Sequence, residues 1–259
     1  MRIASVSHAV FAATLIGLGI LGLINGDLAA LWQPLPQGMS ASGVLVYLCS
    51  FVCLACGLGM LWQHTTTLAA RTLLGYLLLW LLVLRMPGLL RSFTVEFWYS
   101  ACQTAVIVSA AWVLYVWFAA DWDKRRLGFA TGDSGLHIAR VLCGLALIPF
   151  GIAHFLYLKQ TAVLVPAWLS SPVGWSYFTG AAYIAAGVAL IIGVYAPLAA
   201  ALVALQMGLI TLLVWTPVVI AGPSTSQWQE AIVSVMLTAG AWVVADSYRL
   251  SPRPSTRVL

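Results

Sequence analysis

The stretch DWDKRRLGFATGDSG, Asp121 to Gly135, is the one long polar run in this sequence, and its clustered charges, Gly and Ser mark a connection between two apolar halves. Around it, 62% of the residues are hydrophobic and only 7% are charged, with a mean hydropathy of +0.99. Soluble domains carry about 25% charged residues. The chain therefore reads as an integral membrane protein. Its net charge of +5 is spread over short loops and tails rather than one continuous face, which speaks for membrane orientation and against nucleic-acid binding.

Working outward, apolar runs long enough to cross about 30 Å of hydrocarbon, roughly 17 to 25 helical residues, fall near 8–31, 43–62, 68–86 and 97–118. Four more follow near 137–158, 175–195, 197–221 and 229–246. None alternates with the two-residue period of a barrel strand, so helices must satisfy the backbone in lipid. The first run follows Arg2 but has no small-residue cleavage site, so it is read as a mature helix and not as a signal peptide.

A shift of 130 residues, without a gap, lays the two halves on each other. Pro36 then meets Pro166, Tyr47 meets Tyr177, Gly57 meets Gly187, Pro87 meets Pro217, Trp98 meets Trp228 and Trp112 meets Trp242. Coincidence in Pro and Trp at one register points to a tandem repeat. The expected fold is an all-α membrane protein of eight transmembrane helices in two parallel-oriented four-helix repeats. Residues 1–120 and 136–248 form the repeats, 121–135 a cytoplasmic linker and 249–259 a flexible basic tail. Four spans per repeat bring both halves in from the same side. Arg2, Arg71, Lys124, Arg125, Arg126, Arg140, Arg249, Arg253 and Arg257 fall on one side, against Arg85, Arg91 and Lys159 on the other, which puts both termini in the cytoplasm.

The run from Ile148 to Gly187, IPFGIAHFLYLKQTAVLVPAWLSSPVGWSYFTGAAYIAAG, carries a further pattern. Its Gly-x-x-His-Phe ending (Gly151, His154, Phe155), its Pro-Ala-Trp-Leu loop (Pro166 to Leu169) and its Thr-Gly-Ala-Ala helix start (Thr179 to Ala182) resemble the DoxX family of bacterial membrane proteins, including DoxD-related members. The resemblance implies a four-span helical bundle in the bacterial inner membrane. It also implies, from some members, a redox system with quinone as electron acceptor and an oxidoreductase as partner. The first half departs from the pattern, with Ile24 where the second has His154, and Gln33, Pro34, Leu35, Pro36 in place of the loop.

His154 and Glu230 are the candidate catalytic residues. An imidazole near the outer end of a helix can exchange a proton near neutral pH, and a carboxylate at similar depth would orient it and stabilise its charged form. Two plainer readings stand beside this one: His154 as an interfacial histidine bonded to a loop carbonyl, and Glu230 as a first-turn carboxylate favoured by the helix dipole, like Glu96 in the first half. Arg85, Trp168 and Trp228 are the candidates for holding a quinone headgroup. Snorkelling of Arg85 and Arg91 and an aromatic belt of Trp98, Trp168, Trp175 and Trp228 explain the same residues without a ligand.

Cys49, Cys53 and Cys56 lie along one helix face but lack the fourth donor of a zinc or iron–sulfur site and any charge that would activate a thiol, so close helix packing is the reading for CLACGLG. Cys102 and Cys143 are isolated. No phosphate loop, dinucleotide fingerprint, nucleophile elbow or zinc-protease motif occurs. Two further classes remain open: a non-catalytic scaffold recruiting partners through its loops, and a small-solute or lipid transporter working between the halves through Thr72, Gln206 and Thr211.

Overall fold

The computed structural model describes residues 3–33, 35, 42–91, 95–222 and 224–250. Pro36, the basic tail from residue 251 and the side chains of Arg91 and Glu96 lie outside this description. Among the described residues there is no strand. Among the described residues, eight helices are long and apolar enough to cross a membrane. We label them α1 (Val6–Asn25), α2 (Gly43–Leu61), α3 (starting Thr66–Leu79), α4 (Val95–Phe118), α5 (Gly132–Leu156), α6 (Pro172–Ile192), α7 (starting Ala196–Ile210) and α8 (Thr225–Leu250).

Local chemistry sets their ends. Ser5 and Ser42 accept the backbone N–H of His8 and Leu45 at the starts of α1 and α2, and Gly26 and Gly193 close α1 and α6 in the left-handed conformation. Both α3 and α7 pass through one wide π turn, Trp80–Arg85 and Thr211–Trp215. In the first, the Met86 N–H reaches Leu81 O, and in the second the Thr216 N–H reaches Thr211 O. The next residues, Pro87 and Pro217, have no N–H to continue the ladder, which accounts for a break at these points. These two bonds lie 130 residues apart, in the register of the sequence coincidences.

Each span packs on its neighbours in chain order, and α8 returns to α1, so the helices close into a ring. A further contact, between α4 and α8, pinches that ring into two lobes. One lobe is bounded by α8, α1, α2, α3 and α4, the other by α4, α5, α6, α7 and α8. The shared walls are the most enclosed spans, 72% of α4 and 61% of α8 being buried, whereas α7 is 22% buried and lies at the periphery. Small residues let the spans approach. A Cβ on Gly144 or Gly187 would meet the other residue's carbonyl oxygen at 2.7 Å, and one on Gly57 would meet Ala12 O at 2.8 Å. Cys49, Cys53 and Cys56 are free and buried, in keeping with the packing role read from CLACGLG.

The starts of α1 and α5 and the end of α8 lie at one face, where Ser7 donates to Asp246 (2.7 Å) and Arg140 donates to the Ser247 hydroxyl and carbonyl (2.9 and 2.7 Å). We call this the terminal face. The 121–135 segment, expected as the cytoplasmic linker between the repeats, lies there as regular secondary structure. Asp121–Arg126 is a short helix, Gly128–Ala130 a 3-10 turn, and residues 132–135 already belong to α5. Asp123 is fully buried and accepts from Arg71 Nη2 (2.8 Å), Tyr115 OH (3.0 Å) and the Ala120 N–H (3.0 Å). Burial alone would raise its pKa, but these donors outweigh burial and hold the carboxyl below its usual range. Likewise α8 runs through Leu250, past the expected start of the tail at 249.

Candidate functional site

At the face opposite the termini, the α4–α8 lobe holds a cavity of about 370 Å³. Every helix of the lobe contributes: Tyr99 and Gln103 from α4, Phe150 and His154 from α5, Tyr183 from α6, Ile210 and Trp215 from α7, Glu230 and Ser234 from α8. Thr161, from the short helix Leu158–Val163 that follows α5, lies at its edge. Wide turns of this kind often sit at functional sites, and the one in α7 supplies Trp215 here.

The wall is aromatic. Tyr99 and Phe150 stack with ring centroids 4.8 Å apart and planes 25° apart, and Tyr183 meets Phe150 edge-on at 5.3 Å. The His154 ring lies 5.4 Å from that of Tyr183. Its Nδ1 is 3.0 Å from Phe150 O. A carbonyl can only accept, so Nδ1 carries the proton and Nε2 is left with the lone pair. Glu230 is exposed at the cavity rim.

The structure thus brings His154 and Glu230 to one cavity, but no hydrogen bond or ion pair joins them. The expected orientation of the imidazole by the carboxylate gives way to orientation by a backbone carbonyl of its own helix, which is within reach at i−4.

The other three candidates lie elsewhere. Trp168 is 70% exposed in the α5–α6 connection. Trp228 lines a separate crevice of about 410 Å³ between α1 and α8, with Leu18, Asp27 and Gln229. Arg85 belongs to the other lobe and is 1% exposed, so it does not snorkel; its Nη2 donates to Leu31 O (2.9 Å) and Gln33 O (2.7 Å). A cation buried within a helical membrane protein needs acceptors, and Leu31 of the Ala30–Trp32 turn and the Gln33 that follows it supply two carbonyls.

Residues 135–216 match the DoxX family. The second half of the chain carries a DoxX domain. The match covers α5, α6 and α7 up to Thr216, so His154, Tyr183 and Trp215 fall within the DoxX segment, while Tyr99 and Glu230 reach the cavity from α4 and α8 outside it. Neither a curated protein nor a solved structure matches the chain.

Tyr99, Gln103, Phe150, Tyr183 and Trp215 were not singled out from sequence. Their only sequence signal is register: Tyr99 follows Trp98, the counterpart of Trp228, and so shares the depth of Glu230. Of the polar residues a transporter would need between the halves, Thr72 is exposed on α3. Thr211 is bonded to Ser234 (2.8 Å) and Thr238 (2.9 Å), and Gln206 to Thr179 O (3.2 Å), all inside the DoxX-side lobe. Among the described residues, no three His, Cys, Asp or Glu side chains gather as a metal site.

Proposed function

We propose that this protein is the membrane subunit of a quinone-linked redox system and that the cavity of the α4–α8 lobe receives the quinone headgroup. The observation that carries the reading is a pocket of ligand size, about 370 Å³, with an aromatic wall and a few placed polar groups, including one imidazole and one carboxylate, at the end of membrane helices. A flat ring can lie against the wall that Tyr99, Phe150 and Tyr183 form together, where ring contacts add about 0.5–1.5 kcal/mol beyond area burial. Gln103 offers an amide to a ring oxygen.

A quinone, when bound, accepts two electrons from a partner oxidoreductase together with two protons, or returns them as quinol. Nε2 of His154 has the lone pair to take a hydroxyl proton and, once charged, a proton to give. Glu230, open at the rim, exchanges protons with the surroundings. Basic residues on the terminal face, Arg71, Lys124, Arg125, Arg126, Arg140 and Arg249, support placing that face in the cytoplasm of a bacterial inner membrane. The shared 130-residue register of sequence coincidences and π turns supports an origin by duplication of a four-span unit facing one way.

The test is binding of a short-tailed naphthoquinone to the detergent-purified protein. We expect one site per chain, weakened at least tenfold by His154→Ala with an unchanged melting curve. Absence of binding to the parent protein, or equal binding by the variant, overturns the reading. Constant co-purification with a partner and no quinone binding would favour the scaffold instead.

A further inference from the structure

In the lobe bounded by α8, α1, α2, α3 and α4, a piece of the chain itself enters the interior. After α1 the chain turns inward through Leu28, and the 3-10 turn Ala30–Trp32 packs against α4 and α8. Leu31 and Trp32 are 1% and 2% exposed. The Trp32 indole lies edge-on to Tyr76 (5.3 Å) and to Trp80 (4.8 Å). Behind it, Arg85 holds the turn by the Leu31 and Gln33 carbonyls.

The residues around Trp32 hold positions that correspond to the cavity wall of the other lobe. Under the shift of 130, Trp80 falls on Ile210 and Arg85 on Trp215, both of which line the DoxX-side cavity, and Tyr76 falls on Gln206, beside cavity-lining Met207. Trp32 therefore stands where the second lobe is open. A separate observation points to a ligand. The indole Nε1–H of Trp80, a side chain only 3% exposed, is buried without a hydrogen-bond partner. Such orphan donors are rare and call for an explanation.

We infer that the first lobe is a second ring-binding site, closed by the chain's own Trp32 acting as the occupant, with Arg85 as its latch. When the turn leaves, the lobe admits a flat ring bearing a carbonyl acceptor, to which Trp80 Nε1 and the freed Arg85 guanidinium donate. The choice of a carbonyl-bearing ring rests on the function proposed for the second lobe; the closed site itself does not.

The test removes the occupant and offers a substitute, as apolar cavities opened by truncation take up small aromatic molecules. Purified Trp32→Gly protein is titrated with 1-indanone and with indole, and labelling of Cys49, which is buried beside Tyr76, by methyl methanethiosulfonate is followed by peptide mass. The variant is expected to bind 1-indanone at one additional site per chain, more tightly than indole, and to label at Cys49 at least tenfold faster than the parent, with 1-indanone protecting the thiol. A variant that keeps its helical signal and cooperative melt, yet binds neither probe and leaves Cys49 unreactive, overturns the inference.

If Trp32→Gly does not fold, Arg85→Met decides by the same labelling: a tenfold faster reaction supports the latch, and an unchanged rate overturns it. Naphthoquinone binding that depends on His154 should be the same in the Trp32→Gly variant, so failure here is separable from failure of the quinone reading.

Discussion

The two lobes share a helix frame and differ in what fills it. One is packed shut by Trp32, Tyr76, Trp80 and Arg85; the other keeps a cavity lined by Tyr99, Phe150, His154, Tyr183 and Glu230. The contrast extends to how the outer helix is held. At the terminal face α3 is tied by Arg71 to Asp123 and by Thr67 Oγ1 to Phe118 O (2.7 Å). The corresponding positions of α7 are Ala201 and Pro197, which can make neither bond, and α7 is the least buried span. A frame of packed helices can thus be specialised one lobe at a time, by a few side chains that close or open its interior.

The largest effect on this contrast should come from Asp123→Ala, which unties α3 and the α4–α5 connection together. Removing one partner of a buried pair costs about 3–5 kcal/mol, and because Arg71 is 41% exposed and screened we expect about 2–3 kcal/mol, read from thermal or denaturant unfolding. The same carboxyl gives a pH signature. Its pKa is lowered on folding, so its stabilisation is fully present above the unfolded value near 3.8 and is lost as pH falls through the folded value. Melting temperatures of the parent should therefore drop below about pH 4 in a way that the Asp123→Asn variant does not reproduce; parallel curves would remove Asp123 from this role.

Next in size is Ile210→Trp, which gives the second lobe the indole that Trp80 supplies to the first. It should fill the cavity and weaken naphthoquinone binding at least tenfold, about 1.4 kcal/mol, with little change in melting, since the ring enters existing space. Undiminished binding would place the ligand elsewhere.

The smallest effect belongs to Thr67→Val, which removes one hydrogen bond near the start of α3. A loss of about 0.5–1.5 kcal/mol is expected, and hydrogen exchange should rise at the first turn of α3 while α7 is unaffected.

Much of the architecture could be read from the residues. Hydropathy located the eight spans, because transfer of a helix into lipid depends mainly on its own side chains. The ungapped register that aligns Pro87 with Pro217 also aligns the π turns of α3 and α7, although no such turn was expected from the sequence. The similar depth of His154 and Glu230, which both line one cavity without bonding each other, was also legible, because depth follows from position along a span.

Which side chains share a chamber was not legible. Arg85 and His154 lie at the same end of the molecule, yet the α4–α8 contact separates them into different lobes. Trp168 and Trp228 carry the composition of a ligand wall, but that wall is made by Tyr99, Phe150 and Tyr183. The inward course of the Ala30–Trp32 turn gives no periodic signal, and its counterpart in the second half, the short helix Leu158–Val163, stays at the cavity edge.

The sequence by itself determined that this chain has eight segments long and apolar enough to cross a membrane, because that property is set by each segment's own exchange between water and lipid. Only the tertiary structure decided that the helices close into a pinched ring with one lobe filled and the other open, because those outcomes depend on contacts between residues far apart in the chain, which compete for the same space.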